Sequence, residues 1–103
     1  GSSVSLLVGS GNWFKFTAPQ SDTQNLNISF NGYPDNFAEY FLEIIGGTGV
    51  DTSSFLEWDN SFNWAEGISK QDINTGKTYI FRACPILGDI VDSWSITQIA
   101  GEI

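Results

Sequence analysis

A chain of 103 residues is long enough for one domain with a real core and too short for two of ordinary size. Twelve carboxylates face four cations, Lys15, Lys70, Lys77 and Arg82, and the resulting charge of −8 repels nucleic acid and anionic membrane surfaces. Histidine is absent, which removes the usual general base, the Ser-His-Asp and Cys-His arrangements and the commonest transition-metal ligand.

No apolar run approaches the length of a membrane span, and no cationic start leads into an apolar signal stretch, so membrane insertion is not expected. Gly1-Ser2 reads as a cloning scar. On that reading residues 1–3 are a tail, residues 4–103 form a single β domain, and the fragment comes from a larger protein whose leader is already gone. Cys84 is the sole cysteine, so an internal disulfide is impossible and the redox compartment stays open.

Apolar and polar residues alternate almost from end to end. Phe14 and Phe16 oppose Trp13, Lys15 and Thr17; Leu26, Ile28 and Phe30 oppose Asn27 and Ser29. Tyr79, Phe81 and Ala83 oppose Thr78, Ile80 and Arg82, and Trp94 and Ile96 alternate with Ser and Thr. Turn residues separate these runs at Gly9–Gly11, Asn31–Asn36, Gly46–Gly49, Asn74–Gly76 and Leu87–Asp89. The pattern predicts strands near residues 4–8, 12–18, 25–31, 38–45, 54–58, 66–73, 77–84 and 91–99. Phe37, Tyr40, Phe41 and Ile44 also fit helical spacing, but their β-rich neighbours favour strand. About eight half-buried strands at this spacing imply an all-β fold, an antiparallel β-sandwich or jelly roll.

Chemistry-bearing candidates are few. Two carboxylates suffice for a glycosidase, but they must face each other across a cleft, and a sandwich this small has little material for walls. No enzyme activity is expected. Cys84, followed by Pro85 at a strand end, reads as a small half-buried hydrophobe. Asn27-Ile28-Ser29 is a glycosylation triplet inside a strand, and Gly46-Gly47-Thr48-Gly49 lacks the lysine of a phosphate loop. Asp59, Ser61 and Asn63 have the alternate spacing of a calcium loop, yet Trp64 replaces its sharp-turn glycine and Lys70 its bidentate glutamate. Ca²⁺ therefore enters as a non-obligatory ligand of Asp59, Asp35 and Asp89 in separate loops, against the plainer reading that these residues make the turns.

Three stretches together resemble the bacterial pre-peptidase C-terminal domain family. Asn12-Trp13-Phe14-Lys15-Phe16-Thr17-Ala18-Pro19 is similar to its opening strand. Asn74-Thr75-Gly76-Lys77-Thr78-Tyr79-Ile80-Phe81-Arg82 is similar to its late turn-Gly-x-Thr-Tyr-aromatic strand, and Ser93-Trp94-Ser95-Ile96-Thr97 to its closing one. The resemblance spans roughly residues 4–99. It departs at Phe37-Ala38-Glu39-Tyr40-Phe41-Leu42, where the family carries an Asp-Leu-x-Leu-Tyr type strand, and at Asp59–Trp64, an acidic loop with an unusual aromatic load. The resemblance implies an eight-stranded jelly-roll accessory module of a secreted or cell-surface multidomain bacterial protein, without chemistry of its own. Some such modules bind calcium or a polymeric substrate.

Two functions follow. One is a carbohydrate-binding module whose aromatic rings stack on a polysaccharide; the other is a spacer or protein-contact domain serving a neighbouring domain of its parent. Either is expected to be a monomer. Among the tryptophans, Trp94 shares a face with Ile96 and belongs to the core, and Trp58 has the parity of Leu56 and should be at least half buried. Trp13 lies on the polar face of its strand. Trp64 follows the polar loop without an apolar partner in register, so it leads the ligand-binding set of Trp64, Trp58, Asn60, Asn63 and Trp13. An anionic glycan would approach against the field of twelve carboxylates, so a neutral or cationic one is expected.

Overall fold

The computed structural model describes residues 2–18, 26–47, 55–58, 62–64, 70–72, 74–88, 92–101 and 103. Nine strands form among them: β1 (Ser2–Leu7), β2 (Trp13–Thr17), β3 (Leu26–Asn31), β4 (Tyr40–Ile45), β5 (Phe55–Trp58), β6 (Phe62–Trp64), β7 (Lys70–Asp72), β8 (Thr78–Pro85) and β9 (Trp94–Ala100). Two sheets result, one in the order β1-β3-β5-β7 and the other in the order β2-β4-β8-β9-β6. The all-β expectation holds, and each of the eight predicted strand positions overlaps a strand, seven of them of four or more residues and the 66–73 run the short β7; β6 is additional. β1 starts earlier than predicted. Ser2 and Ser3, read from sequence as tail, pair with Leu26 and Asn27.

The two sheets face each other through the residues that alternation marked as apolar. Leu6, Leu26, Ile28 and Trp58 are buried on the inner side of the four-stranded sheet; Leu42, Ile44, Tyr79, Phe81, Trp94 and Ile96 are buried on the other. Rings bridge the two layers: Trp58 meets Phe81 edge-on at 4.9 Å, and Phe30 stacks on Trp94 at 4.1 Å. Phe14, Phe16 and Phe30 are partly buried against this core, so the apolar faces of all four alternating runs share it.

Strand direction is where the structure corrects the sequence. The expectation was antiparallel pairing throughout, as in a jelly roll. Instead β1–β3, β3–β5, β2–β4 and β6–β9 are parallel, and only β5–β7, β4–β8 and β8–β9 are antiparallel. The physical reason lies in the order of the strands. From β1 to β8 the chain changes sheet at every step, so β1, β3 and β5 each return to one layer after a pass through the other. The passes from β1 to β3, β2 to β4 and β3 to β5 restore direction and set parallel neighbours side by side, whereas the pass from β5 through β6 to β7 reverses it. Only β8 and β9 are consecutive strands within one sheet, and they form an antiparallel pair with a register irregularity between Ile80 and Phe81. Alternation reports one buried and one open face; it carries no information about direction.

Two side-chain devices hold the ends of this arrangement. The Tyr33 hydroxyl donates to the Ser93 carbonyl at 2.8 Å and lies 3.1 Å from that of Ile86. It thereby ties the 32–39 connection to the two ends of the β8–β9 loop. Gly46 pairs with the Asn74–Lys77 turn through its own N–H to Lys77 and its carbonyl from Gly76. A Cβ at Gly46 would run into the Asn74 carbonyl, so the position accepts only glycine without backbone movement.

Candidate functional site

The two sheets expose different residues where their side chains are described. On the four-stranded sheet, Ser3, Ser5 and Leu7 of β1 pair with Asn27, Ser29 and Asn31 of β3, a row that is polar except for Leu7. On the five-stranded sheet the same parity brings out Trp13 and Lys15 of β2, Phe41 and Glu43 of β4, and Arg82 of β8. Aromatic and charged side chains thus meet on one open face.

β2 is the edge strand here, and its outward residues are exposed because nothing among the described residues covers that side of Trp13. Trp13 is 55% exposed and stacks on Phe41 with ring centroids 5.4 Å apart and planes 28° apart. Phe41 is held in turn by the β4 ladder and by its backbone N–H, which donates to the Asn12 carbonyl at 2.9 Å. An offset stack of this kind keeps the outer ring in a fixed orientation without burying it. The outer ring is therefore backed by the inner one while open to solvent.

Ion pairs flank the rings. Lys15 lies opposite Glu43 in the β2–β4 register, with Nζ 3.5 Å from Oε2. Arg82, opposite Phe41 in the β4–β8 register, reaches Glu39 at 3.5 Å. Both separations exceed the 2.7–2.9 Å typical of a tight charge-assisted hydrogen bond. These are loose pairs on a wet surface, worth at most about 1 kcal/mol each to stability. Each keeps donor and acceptor capacity for a third group. Beyond Arg82 the β8–β9 register continues the row to Thr97. One line across four strands thus reads Trp13, Phe41, Arg82, Thr97.

Cys84 sits two residues along β8 from Arg82 and is half-buried. Burial pushes its thiol above the ordinary value; Arg82 opposes the shift and Glu39 adds to it. The expectation of a half-buried small hydrophobe holds.

The residues singled out from the sequence fall in different places. Among the candidates whose side chains are described, Trp13 has its ring on an open face. Trp58 is 5% exposed and part of the core, as its parity indicated. Asn63 and Trp64 belong to β6, an edge strand that the sequence read as part of a loop, and their backbones pair with Ser95 and Ile96. Of these two register partners, Ser95 is exposed and Ile96 fully buried. Asn60, Asp59 and Asp89 lie outside the described residues. Asp35 is exposed. Among the described residues no three His, Cys, Asp or Glu side chains converge in a way that would hold a metal ion. No helix of the described residues is long and apolar enough to cross a membrane.

Sequence reasoning passed over Phe41 and the two ion pairs. Their signal was the parity of Phe41 and Glu43 against Leu42 and Ile44, legible once β4 is known to lie beside β2. No family model, curated protein or solved structure matches the chain.

Proposed function

We propose that the chain is a non-catalytic carbohydrate-binding module that uses the Trp13–Phe41 platform to hold a polysaccharide. The observation carrying this reading is a tryptophan ring, 55% exposed, fixed by stacking on a polar sheet face rather than buried. Sugar rings present C–H faces to such a surface, and their hydroxyls need the donors and acceptors that Lys15, Glu43, Arg82 and Glu39 supply beside it. The three stretches resembling the pre-peptidase C-terminal family support an accessory role in a secreted or cell-surface bacterial protein. Bound Ca²⁺ is a secondary element of the proposal, motivated by the resemblance and by the surplus of loop carboxylates.

Affinity electrophoresis against a set of soluble polysaccharides tests the reading. Trp13→Ala should weaken retention about tenfold, equivalent to about 1.4 kcal/mol, with a melting temperature lowered far less than in the core truncation Trp94→Ala. Trp64→Ala carries the opposite expectation from its register position: a lower melting temperature, with retention preserved in the folded fraction. Retention lost in Trp64→Ala but kept in Trp13→Ala would return the site to the 59–64 segment. No retention of any polysaccharide by the wild-type chain would favour the spacer role.

A further inference from the structure

The surface around Trp13 has a charge balance unlike that of the chain as a whole. Lys15 is matched by Glu43 and Arg82 by Glu39, so among the described residues the four charges that flank the platform sum to zero, against −8 for the chain as a whole. At physiological ionic strength fields are screened beyond about 8 Å, so a ligand on the platform meets chiefly the paired charges beside it. A cationic sugar placed there would confront Lys15 or Arg82, and an anionic one Glu43 or Glu39. Either would have to break an existing pair to be accommodated. An uncharged polyol breaks none, because a loose pair at 3.5 Å can accept one hydroxyl proton on its carboxylate and donate from its cation to a neighbouring hydroxyl oxygen.

Resting on the carbohydrate-binding reading, we infer that the ligand is an uncharged glycan chain lying across the strands, along the line Trp13, Phe41, Arg82, Thr97. The rings take the apolar face of the chain at the β2 edge, and Arg82 and Thr97 take hydroxyls further along, at strand spacings of about 4.8 Å. Sequence charge alone left neutral and cationic ligands equivalent; the pairing on this face separates them.

The test compares three probes on the intact chain at 20 and 500 mM NaCl: hydroxyethyl cellulose as a neutral glycan, chitosan as a cationic one and alginate as an anionic one. The expected result is retention by the neutral probe at both salt concentrations. It should fall about tenfold in Trp13→Ala and at least threefold in Arg82→Gln and Thr97→Val, and stay unchanged in Thr17→Ala, which lies on the same face off the line. Chitosan should bind only at low salt and equally well in Trp13→Ala, through the carboxylates elsewhere. Trp13-dependent retention of chitosan or alginate at 500 mM NaCl would overturn the neutral-ligand inference while leaving the carbohydrate-binding reading intact. Trp13-dependent retention of the neutral probe that is indifferent to Arg82→Gln and Thr97→Val would overturn the cross-strand line. Absence of any Trp13-dependent retention would overturn both inference and reading.

Discussion

Four tryptophans in one small chain do different work, and parity within a strand separates three of them. Trp94 and Trp58 alternate with polar residues so as to face inward, and both are buried in the core. Trp13 has the opposite parity to Phe14 and Phe16 and emerges on the outer face. Truncation should report the difference directly. Trp94→Ala removes a ring in contact with Phe30, Tyr33 and Tyr40 and is expected to cost about 3–5 kcal/mol in urea unfolding. Trp13→Ala loses one exposed stack and should cost no more than about 1.5 kcal/mol. Cys84 supplies a pH-dependent check on the same face. With its thiol raised by burial, it should react with a disulfide reagent at pH 8 more slowly than a free cysteine, and more slowly still in Arg82→Gln. A thiol whose folded value exceeds its unfolded one stabilises the fold below the unfolded value and loses that contribution as pH climbs through the folded one.

At the scale of elements, the connections carry as much information as the strands. Gly46→Ala would drive a Cβ into the Asn74 carbonyl, and a destabilisation of about 1–3 kcal/mol is expected in thermal unfolding. Tyr33→Phe removes the hydroxyl that reaches Ser93 and Ile86 and should cost about 0.5–1.5 kcal/mol, with faster amide exchange at Ile86, whose N–H donates to Ser93. Neither contact was legible in the sequence, because residues 33 and 93, or 46 and 74, meet only after the sheets have formed. Strand positions were legible, since alternation between apolar and polar residues is a local property of each segment. Strand direction was not. The same half-buried pattern serves β2, whose neighbour is parallel, and β9, whose β8 neighbour is antiparallel. The register neighbour of Trp64 was hidden for a related reason: Ile96 belongs to a strand 32 positions further along the chain.

For the molecule as a whole, the charge of −8 opposes compaction, so the melting temperature should rise with added NaCl. Calcium should raise it further at matched ionic strength if the acidic loops bind the ion; identical curves in calcium and sodium would leave them as turns. The candidate site itself was half legible. Trp13 could be picked out by parity, whereas Phe41, Glu39, Glu43 and Arg82 joined it only through the β2–β4–β8 order of the sheet. That shared face, rather than any single residue, is the basis for the proposed glycan platform. Its most direct test is a titration of the isotopically labelled chain with a neutral oligosaccharide, followed by the indole and backbone resonances of each tryptophan. The account predicts saturable shifts at Trp13, Phe41 and Arg82 with Trp58, Trp64 and Trp94 unmoved; shifts centred on Trp64, or none at Trp13 at saturation, would contradict it.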